Sequence, residues 1–380
     1  MARAYDTIVV GVGGMGAAAL YQLAKRGQRV LGLERFDLGH AMGSSHGHTR
    51  ILRLAYFEGS HYVPLARRAH RLWQEIGAEA GMRLLHVTGS LDLAPEGQGT
   101  VERARHSCVD HGLAHEMLDA RQLASRYPAL RLTPRHTGLL QPDGGFVLAE
   151  QAIFAHAGLA LKHGADIHTG ETVQSWRPTA AGGVEVTTDR ATYAAGQLVL
   201  AAGAWIKSFA PDVLARVTTV KQAIGWFPVR QPELFRPAAL PVFILTVEEG
   251  NFYGLPLFEH AGFKLGGPHF AREAIDPDDP DRTPSPKQVA ALQACLERYI
   301  PGAAGRPLAV KGCMYTVTPD EHFIIDRLPG HRQVIVASPC SGHGYKFASV
   351  IGEILAELAV DGATRADISP FAIGRLAVLA

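Results

Sequence analysis

The sequence predicts an α/β protein in two intertwined parts, on three observations. The first is the opening stretch. A β-branched apolar run, Asp6-Thr-Ile-Val-Val10, meets Gly11-Val-Gly-Gly-Met-Gly16; a helical segment with Ala17, Ala18, Leu20, Leu23 and Ala24 on its apolar positions then leads to a second strand ending in Glu34. The second is a return of this texture far along the chain. Gln197-Leu-Val-Leu-Ala-Ala-Gly203 is again a strand running to glycine, and Val334-Ile-Val-Ala337 is followed by a small-residue loop and a helix. The third is a change between about Thr218 and Lys311 to strand-like runs separated by proline turns. A discontinuous Rossmann-like dinucleotide-binding domain with an inserted antiparallel-sheet-plus-helix domain accounts for all three.

The opening stretch carries the most specific signal. Gly11 permits the tight turn, Gly13 lets backbone approach a pyrophosphate, and Gly16 lets helix and strand pack closely. The helix N-terminus offers N–H groups to phosphates, and Glu34 can accept hydrogen bonds from a ribose. A G-x-G-x-x-G alone is weak, but here strand, helix, second strand and terminal acid all fall where the mechanism needs them.

Bulk properties exclude several classes. The chain has 380 residues, enough for two domains, with 47% hydrophobic and 19% charged residues and a formal net charge of +1. No charge excess favours nucleic acid or an anionic membrane as a partner. No uncharged apolar run approaches the about 20 residues of a membrane span, and the run from Ile8 reads as the first strand rather than a signal peptide. Cys108, Cys295, Cys313 and Cys340 are scattered without a C-x-x-C pair. Neither a metal site nor a disulfide framework is expected, and the default compartment is the cytoplasm.

Beyond Glu34, a loop from Arg35 to Gly47 rich in glycine and serine can approach a ligand closely. It leads to His48–Tyr56, where Arg50 and Arg53 share a face if the piece is helical. Such arginines pair with a phosphate, a flavin edge or a substrate carboxylate, or else are solvated surface residues. Val63, Ala66, Ala69, Leu72, Trp73 and Ile76 recur at helical spacing, and Arg67, Arg68, His70 and Arg71 opposite them read as a solvated face. Leu84–Leu93 suggests strands, Ala104–Tyr127 polar helix, and Ala149–His163 a helix stopped by Gly164. Val173 and Trp176 lie in an extended piece, and Val184–Tyr193 reads as a hairpin turning at Asp189-Arg190. In the insertion, Ile224–Phe227 and Phe243–Val247 are strands, Asp276–Pro286 is an irregular loop, and Ser285-Pro286 opens a helix. Ser341-Gly-His-Gly-Tyr-Lys346 is a second glycine loop at a strand-to-helix junction.

Several separated stretches together resemble one family. Gly11–Gly16, Gly43-Ser-Ser-His-Gly-His-Thr-Arg50, Gly312-Cys-Met-Tyr-Thr316, Asp320–Asp326 and Ser341–Phe347 are similar, in order and over nearly the whole chain, to the monomeric sarcosine oxidase and N-methyltryptophan oxidase family. The resemblance implies FAD held covalently by a cysteine thioether, here through Cys313. It implies oxidation of a small secondary amino acid, N-methyl or cyclic, by hydride transfer to the flavin. The imine then hydrolyses, giving formaldehyde from N-methyl substrates, and O2 is reduced to H2O2. Arg53 and Lys346 match the carboxylate-binding pair. Lys264 matches a lysine that promotes O2 reduction, although a lysine in an alternating strand is generally solvated. Arg50 matches a cationic neighbour of the flavin, and Tyr253, Tyr315 and His343 match pocket residues. A family histidine four residues beyond the lysine falls here on Pro268, leaving His269 as its replacement or the pocket altered.

To the cofactor site the resemblance and the glycine pattern assign Gly11, Gly13, Gly14, Met15, Gly16, Glu34, Arg35, Ser44, Ser45, Thr49, Arg50, Val173, Gly203, Cys313, Met314, Gly342, Gly344 and Lys346. Residues 1–85, 145–217 and 314–380 are then the FAD-binding domain, and 86–144 and 218–313 the substrate domain. The expected partners are a small amino acid and O2, and the expected state is a monomer. Three other readings fit less of the sequence. A flavin dehydrogenase with another electron acceptor leaves Lys264 without a purpose, a non-catalytic flavin-binding protein leaves the arginines, lysines and Cys313 unexplained together, and a nicotinamide dehydrogenase needs no tether.

Overall fold

The structure, a computed structural model, describes residues 4–259, 262–267 and 273–377. Its first layer is an eight-stranded sheet whose centre is parallel. Ala4–Val10 lies between Thr192–Leu200 and Val30–Leu33, Asp166–His168 extends one side, and His331–Ser338 pairs with the end of Thr192–Leu200. The apolar run of the first strand explains its central place. Val9 packs into a core on one face, while Ile8 and Val10 pack into a core on the other, so both faces are covered. On the Val9 face lie the helices Gly14–Lys25, Val63–Ala80, Ala149–Lys162 and Ala348–Asp361, joined through Leu20, Tyr21, Trp73, Ile153 and Ile351.

The second layer is a nine-stranded sheet formed largely by the inserted segments. It is antiparallel throughout except where Val242–Val247 runs parallel to Ser90–Pro95. Phe227, Phe243, Phe252, Phe263 and Leu265 pack from one face against the Pro286–Tyr299 helix. That helix starts as its sequence predicts, with Ser285 and Gln288 closing a reciprocal capping box and Pro286 in the first turn. The long strand Ala309–Val317 pairs with Thr218–Phe227 and runs across position 313/314. A three-stranded antiparallel sheet of Thr49–Leu52, Gly145–Leu148 and Leu85–Val87 completes the strand structure.

Three local expectations differ from the structure. Thr49–Leu52 is a strand and not a helical turn, because its pairing to Gly145–Leu148 overrides the arginine spacing. The Ala104–Tyr127 stretch holds two helices, Thr100–Asp110 and Ala120–Arg126, separated by the strand Glu116–Leu118, and Asp119 caps the second. On the basic face of the Val63–Ala80 helix Arg71 is exposed as expected, but Arg67, Arg68 and His70 are half-buried. Arg68 pairs with Glu353 at 2.6 Å on the C-terminal helix, and Arg67 donates to the His111 carbonyl at 2.6 Å.

Candidate active site

The parallel strands all end at one edge, and the segment beyond each strand end lines the same chamber. Gly11 follows the first strand, Glu34 the second, Ala201–Gly203 the Thr192–Leu200 strand, and Pro339–Gly344 the His331–Ser338 strand. The cavity they enclose has a volume of about 500 Å³ and reaches across to the nine-stranded sheet at Ile244, Asn251 and Tyr253. Ligands bind outside the carboxyl ends of the strands in open α/β sheets.

One end of this cavity is built for a dinucleotide. Gly11 has φ +89°, and a Cβ there would lie 2.6 Å from the Ala201 carbonyl oxygen. At Gly16 a Cβ would lie 1.7 Å from the Gly11 carbonyl oxygen, so helix and strand touch through backbone. At Gly13 the only heavy atom near an added Cβ is Ser45 Oγ at 3.5 Å; a methyl group there would stand in the cradle itself. Glu34 Oε2 accepts the Val12 N–H at 2.8 Å and Oε1 the Phe36 N–H at 3.0 Å, which fixes the carboxylate on the cavity wall. Glycine cradle, helix N-terminus and terminal acid fit the pyrophosphate and ribose of FAD.

Of the remaining cofactor candidates, Gly14, Met15, Arg35, Ser44, Ser45, Arg50, Val173, Gly203, Met314, Gly342, Gly344 and Lys346 also line the cavity. Gly16, Thr49 and Cys313 stand behind its wall. The Cys313 thiol lies 3.8 Å from the Ser44 carbonyl oxygen and 4.0 Å from Arg50 Nη2. Burial pushes this thiol up, while Arg50 and Lys264 pull it down. Arg50 itself is tied into the loop, donating to the Ser44 carbonyl at 2.8 Å, to the Thr49 carbonyl at 2.9 Å and to the His46 carbonyl. Glu150 holds the same loop from below, accepting the Gly47 N–H at 2.6 Å and the His48 N–H at 2.9 Å.

At the opposite end the catalytic candidates gather around buried charge. Arg53, 3% exposed, is gripped by Glu58 through both carboxylate oxygens and donates to the Ala55 carbonyl at 2.9 Å. Its guanidinium lies 4.3 Å from the Tyr56 ring centroid and 4.2 Å from that of Phe57. Burial would raise the Glu58 carboxyl, but Arg53 holds it down at about 2. Lys346, 6% exposed, donates to the His343 carbonyl at 2.6 Å and to Tyr56 Oη at 3.4 Å; its backbone carbonyl is anchored by Trp73 Nε1 at 2.8 Å.

The His343 ring bridges Tyr56 Oη, 2.8 Å from Nδ1, and the Glu321 carbonyl, 3.0 Å from Nε2. A carbonyl only accepts, so Nε2 carries the proton and Nδ1 accepts from Tyr56. Burial keeps this imidazole neutral, down at about 3. Tyr253 and Tyr315 hydroxyls meet at 3.5 Å, and burial first of all raises both phenols, so they remain protonated.

Lys264 is not solvated: it is 3% exposed, and its ammonium donates to the Gly47 and Thr49 carbonyls, each at 2.7 Å. It does not line the large cavity but stands behind the Gly47–Arg50 segment, with Arg50 close enough to help burial lower its pKa well below the ordinary lysine range. Pro268 and His269 lie outside the described residues. Glu58, Tyr56 and Glu150 are the site residues the sequence did not reveal. Glu58 lies five residues beyond Arg53, but nothing in that spacing marks the loop between them as folding back. Among the described residues no group of His, Cys, Asp or Glu is arranged to hold a metal ion.

Comparisons with known proteins bear on the fold and the family. Residues 6–358 match the family model described as FAD dependent oxidoreductase. The chain is 39% identical over 380 residues to monomeric sarcosine oxidase of Bacillus sp. (strain NS-129), covering 99% of this chain and 98% of that one. It is 31% identical to N-methyl-L-tryptophan oxidase of Yersinia pestis (strain Pestoides F), covering 98% and 99%. Among solved structures it superposes on NikD, an unusual amino acid oxidase essential for nikkomycin biosynthesis, with a TM-score of 0.85 at 29% identity over 97% of each chain. A two-layer flavoprotein of the FAD dependent oxidoreductase class is thus what fold and site define. Within that class the chain belongs to the family of monomeric sarcosine oxidases and N-methyl-L-tryptophan oxidases.

Proposed function

We propose that the protein oxidises a small secondary amino acid, N-methyl or cyclic, with FAD as resident cofactor and O2 as final electron acceptor. The observation that carries this is one chamber holding a dinucleotide cradle at one end and a buried arginine–lysine pair at the other. Bound FAD supplies the two-electron acceptor needed to oxidise a C–H bond next to nitrogen. The residues assigned to hold it are Gly11–Gly16, Glu34, Arg35, Ser44, Ser45, Arg50, Val173, Gly203, Met314, Gly342 and Gly344, with Cys313 as the covalent tether.

Arg53 and Lys346 bind the substrate carboxylate, which takes the place of Glu58 on the Arg53 fork. With Glu58 released, the cationic pair disfavours an ammonium beside it, so the substrate nitrogen is held as the neutral amine. Tyr253 and Tyr315, protonated and facing the cavity, orient the substrate by hydrogen bonds, and His343 fixes Tyr56 against Lys346. With Pro268 where the family has a histidine, either His269 takes that role or the pocket is altered. Lys264, whose hold on its proton is weakened by burial and by Arg50, is the buried cation that offsets the negative charge developed during O2 reduction. The imine product hydrolyses in water, releasing formaldehyde from an N-methyl substrate.

The cofactor domain comprises 1–85, 145–217 and 314–380 and the substrate domain 86–144 and 218–313, with Ala309–Val317 continuous across one border. Cysteines 108, 295, 313 and 340 are all unpaired, which suits a reducing compartment. No described helix is long and apolar enough to cross a membrane. The reading includes a monomer in the cytoplasm, supported by the unpaired cysteines and by the resemblance.

The test is the visible spectrum of the purified protein before and after acid precipitation, followed by an H2O2 assay on sarcosine, N-methyl-L-tryptophan and L-proline. Yellow colour retained in the pellet, and absent from the pellet of Cys313→Ala, is expected, with peroxide formed from at least one of the three. Colour released into the supernatant removes the tether. A folded protein that takes up no FAD removes the reading altogether.

A further inference from the structure

We propose that Asp92 is a positioning residue for the substrate: its buried carboxylate is the counter-charge that favours the cationic form of Lys346, one half of the carboxylate-binding pair. The proposal rests on the assignment of Arg53 and Lys346 as that pair. Asp92 lies in the middle of the Ser90–Pro95 strand, opposite Ile244 on one side and Leu139 on the other. Ile244 in turn lies opposite Tyr253, and both line the cavity, so Asp92 is on the site-facing side of the nine-stranded sheet. Its neighbours Leu91 and Leu93 point the other way, into the phenylalanine core. Asp92 is 0% exposed, and neither of its oxygens has a hydrogen-bond partner among the described residues. A carboxylate in such a place costs far more than an apolar side chain would, and nothing in the packing of the strand requires it.

The groups surrounding it give the reason. Arg53 and Glu58 from the loop after Thr49–Leu52, and Lys346 from the turn before the C-terminal helix, all act on Asp92 electrostatically. Tyr56 and the Cys108 thiol of the Thr100–Asp110 helix feel its charge in return, and both stay protonated. Within this cluster Glu58 is committed to Arg53 through both oxygens. Among the described residues the Lys346 ammonium bonds only neutral acceptors, His343 O and Tyr56 Oη, with the neutral His343 ring beyond them. Burial and Arg53 bring Lys346 down to about 7, and Glu58 and Asp92 act in the opposite sense. Burial likewise raises Asp92 to about 7. Asp92 therefore gains its charge over the same pH range in which Lys346 would lose its own. Lys346 lines the cavity and Asp92 does not, so the charge of Asp92 acts on the lysine within the protein and reaches a ligand in the cavity across a more polarisable medium. Attraction to the lysine then outweighs repulsion of the ligand.

The experiment is calorimetric titration of the FAD-loaded protein with acetate, a carboxylate that cannot be oxidised, from pH 6 to pH 8.5. It compares wild type with Asp92→Asn and with Asp92→Val, a β-branched replacement suited to a central strand. Expected is a mutant-to-wild-type ratio of dissociation constants close to one at pH 6, where Asp92 is protonated, rising to about tenfold at pH 8 to 8.5. A ratio that is flat or falls with pH overturns the proposal, because a merely structural role for Asp92 has no reason to follow pH. Wild-type protein that binds no acetate at any pH overturns the carboxylate-pair reading and this inference with it.

Discussion

Single residues in this protein act by the charge they hold, and burial decides that charge. Lys346 is brought to about 7, so it is cationic below neutrality and loses its proton as pH rises through that value. The substrate KM is therefore expected to rise with pH above 7 by up to tenfold per unit. In Lys346→Met it is expected to be higher by about 30-fold or more, from a loss of about 2–5 kcal/mol, and to lose this pH dependence. Steady-state kinetics across pH 6 to 9 measures both, and a KM in the variant that still climbs with the wild-type profile would assign the titration elsewhere. Lys264 gives a separable effect because it stands behind the Gly47–Arg50 segment and not on the cavity wall. For Lys264→Met, rapid-mixing kinetics should show reoxidation by O2 slowed by about 10²–10³ with flavin reduction by substrate unchanged. Equal slowing of both halves would mean that the lysine only supports the loop.

At the scale of elements, two glycines of the first turn, Gly13 and Gly16, have different jobs, and alanine scanning should tell them apart. Gly13→Ala places its methyl in the cradle and touches nothing but Ser45 Oγ, so the chain is expected to fold with wild-type thermal stability but poor flavin uptake. Gly16→Ala drives a methyl into the Gly11 carbonyl, and a cost of about 1–3 kcal/mol or more should appear as a lowered melting temperature as well. Flavin content and thermal melts of the two variants, read together, decide this; equal melting temperatures would contradict the assignment.

The same contrast shows how much was legible in the sequence. The opening strand, turn and helix were readable because their signals are local, and so was the Ser285-Pro286 cap. Arg50 and Arg53 were legible as residue types but not in conformation, since the strand at Thr49–Leu52 exists only by pairing with Gly145–Leu148, a partner remote in the chain. Glu58, Glu150 and Asp92 carry no sequence mark at all. Each acquires its meaning from a neighbour brought in by folding or from the loss of water around it.

For the molecule as a whole, the sum of its buried titrations sets its tolerance of acid. His46, His156 and His343 are held neutral by burial, at about 4, about 4 and about 3 against an ordinary 6.5. Unfolding frees them to take up protons, so the folded state loses stability as pH falls below 6.5 toward those values. Asp92 works in the other direction, since its raised carboxyl binds a proton in the folded state that it gives up on unfolding. A net uptake of about two protons remains, which corresponds to about 3 kcal/mol per pH unit near pH 5. Thermal melts from pH 7 to pH 5 should show the midpoint falling steadily, and a flat profile would mean that these histidines are hydrated. The order of the strands has a consequence for biosynthesis as well. The glycine turn is made before the strands that flank its own: that strand has as neighbours Val30–Leu33 and Thr192–Leu200, and the latter is completed by His331–Ser338. Cys313 and the Ser341–Lys346 loop are likewise made long after the glycine turn. A nascent chain thus has no complete place for its flavin until the Ser341–Lys346 loop has been made, and loading with the cofactor comes after synthesis of that loop.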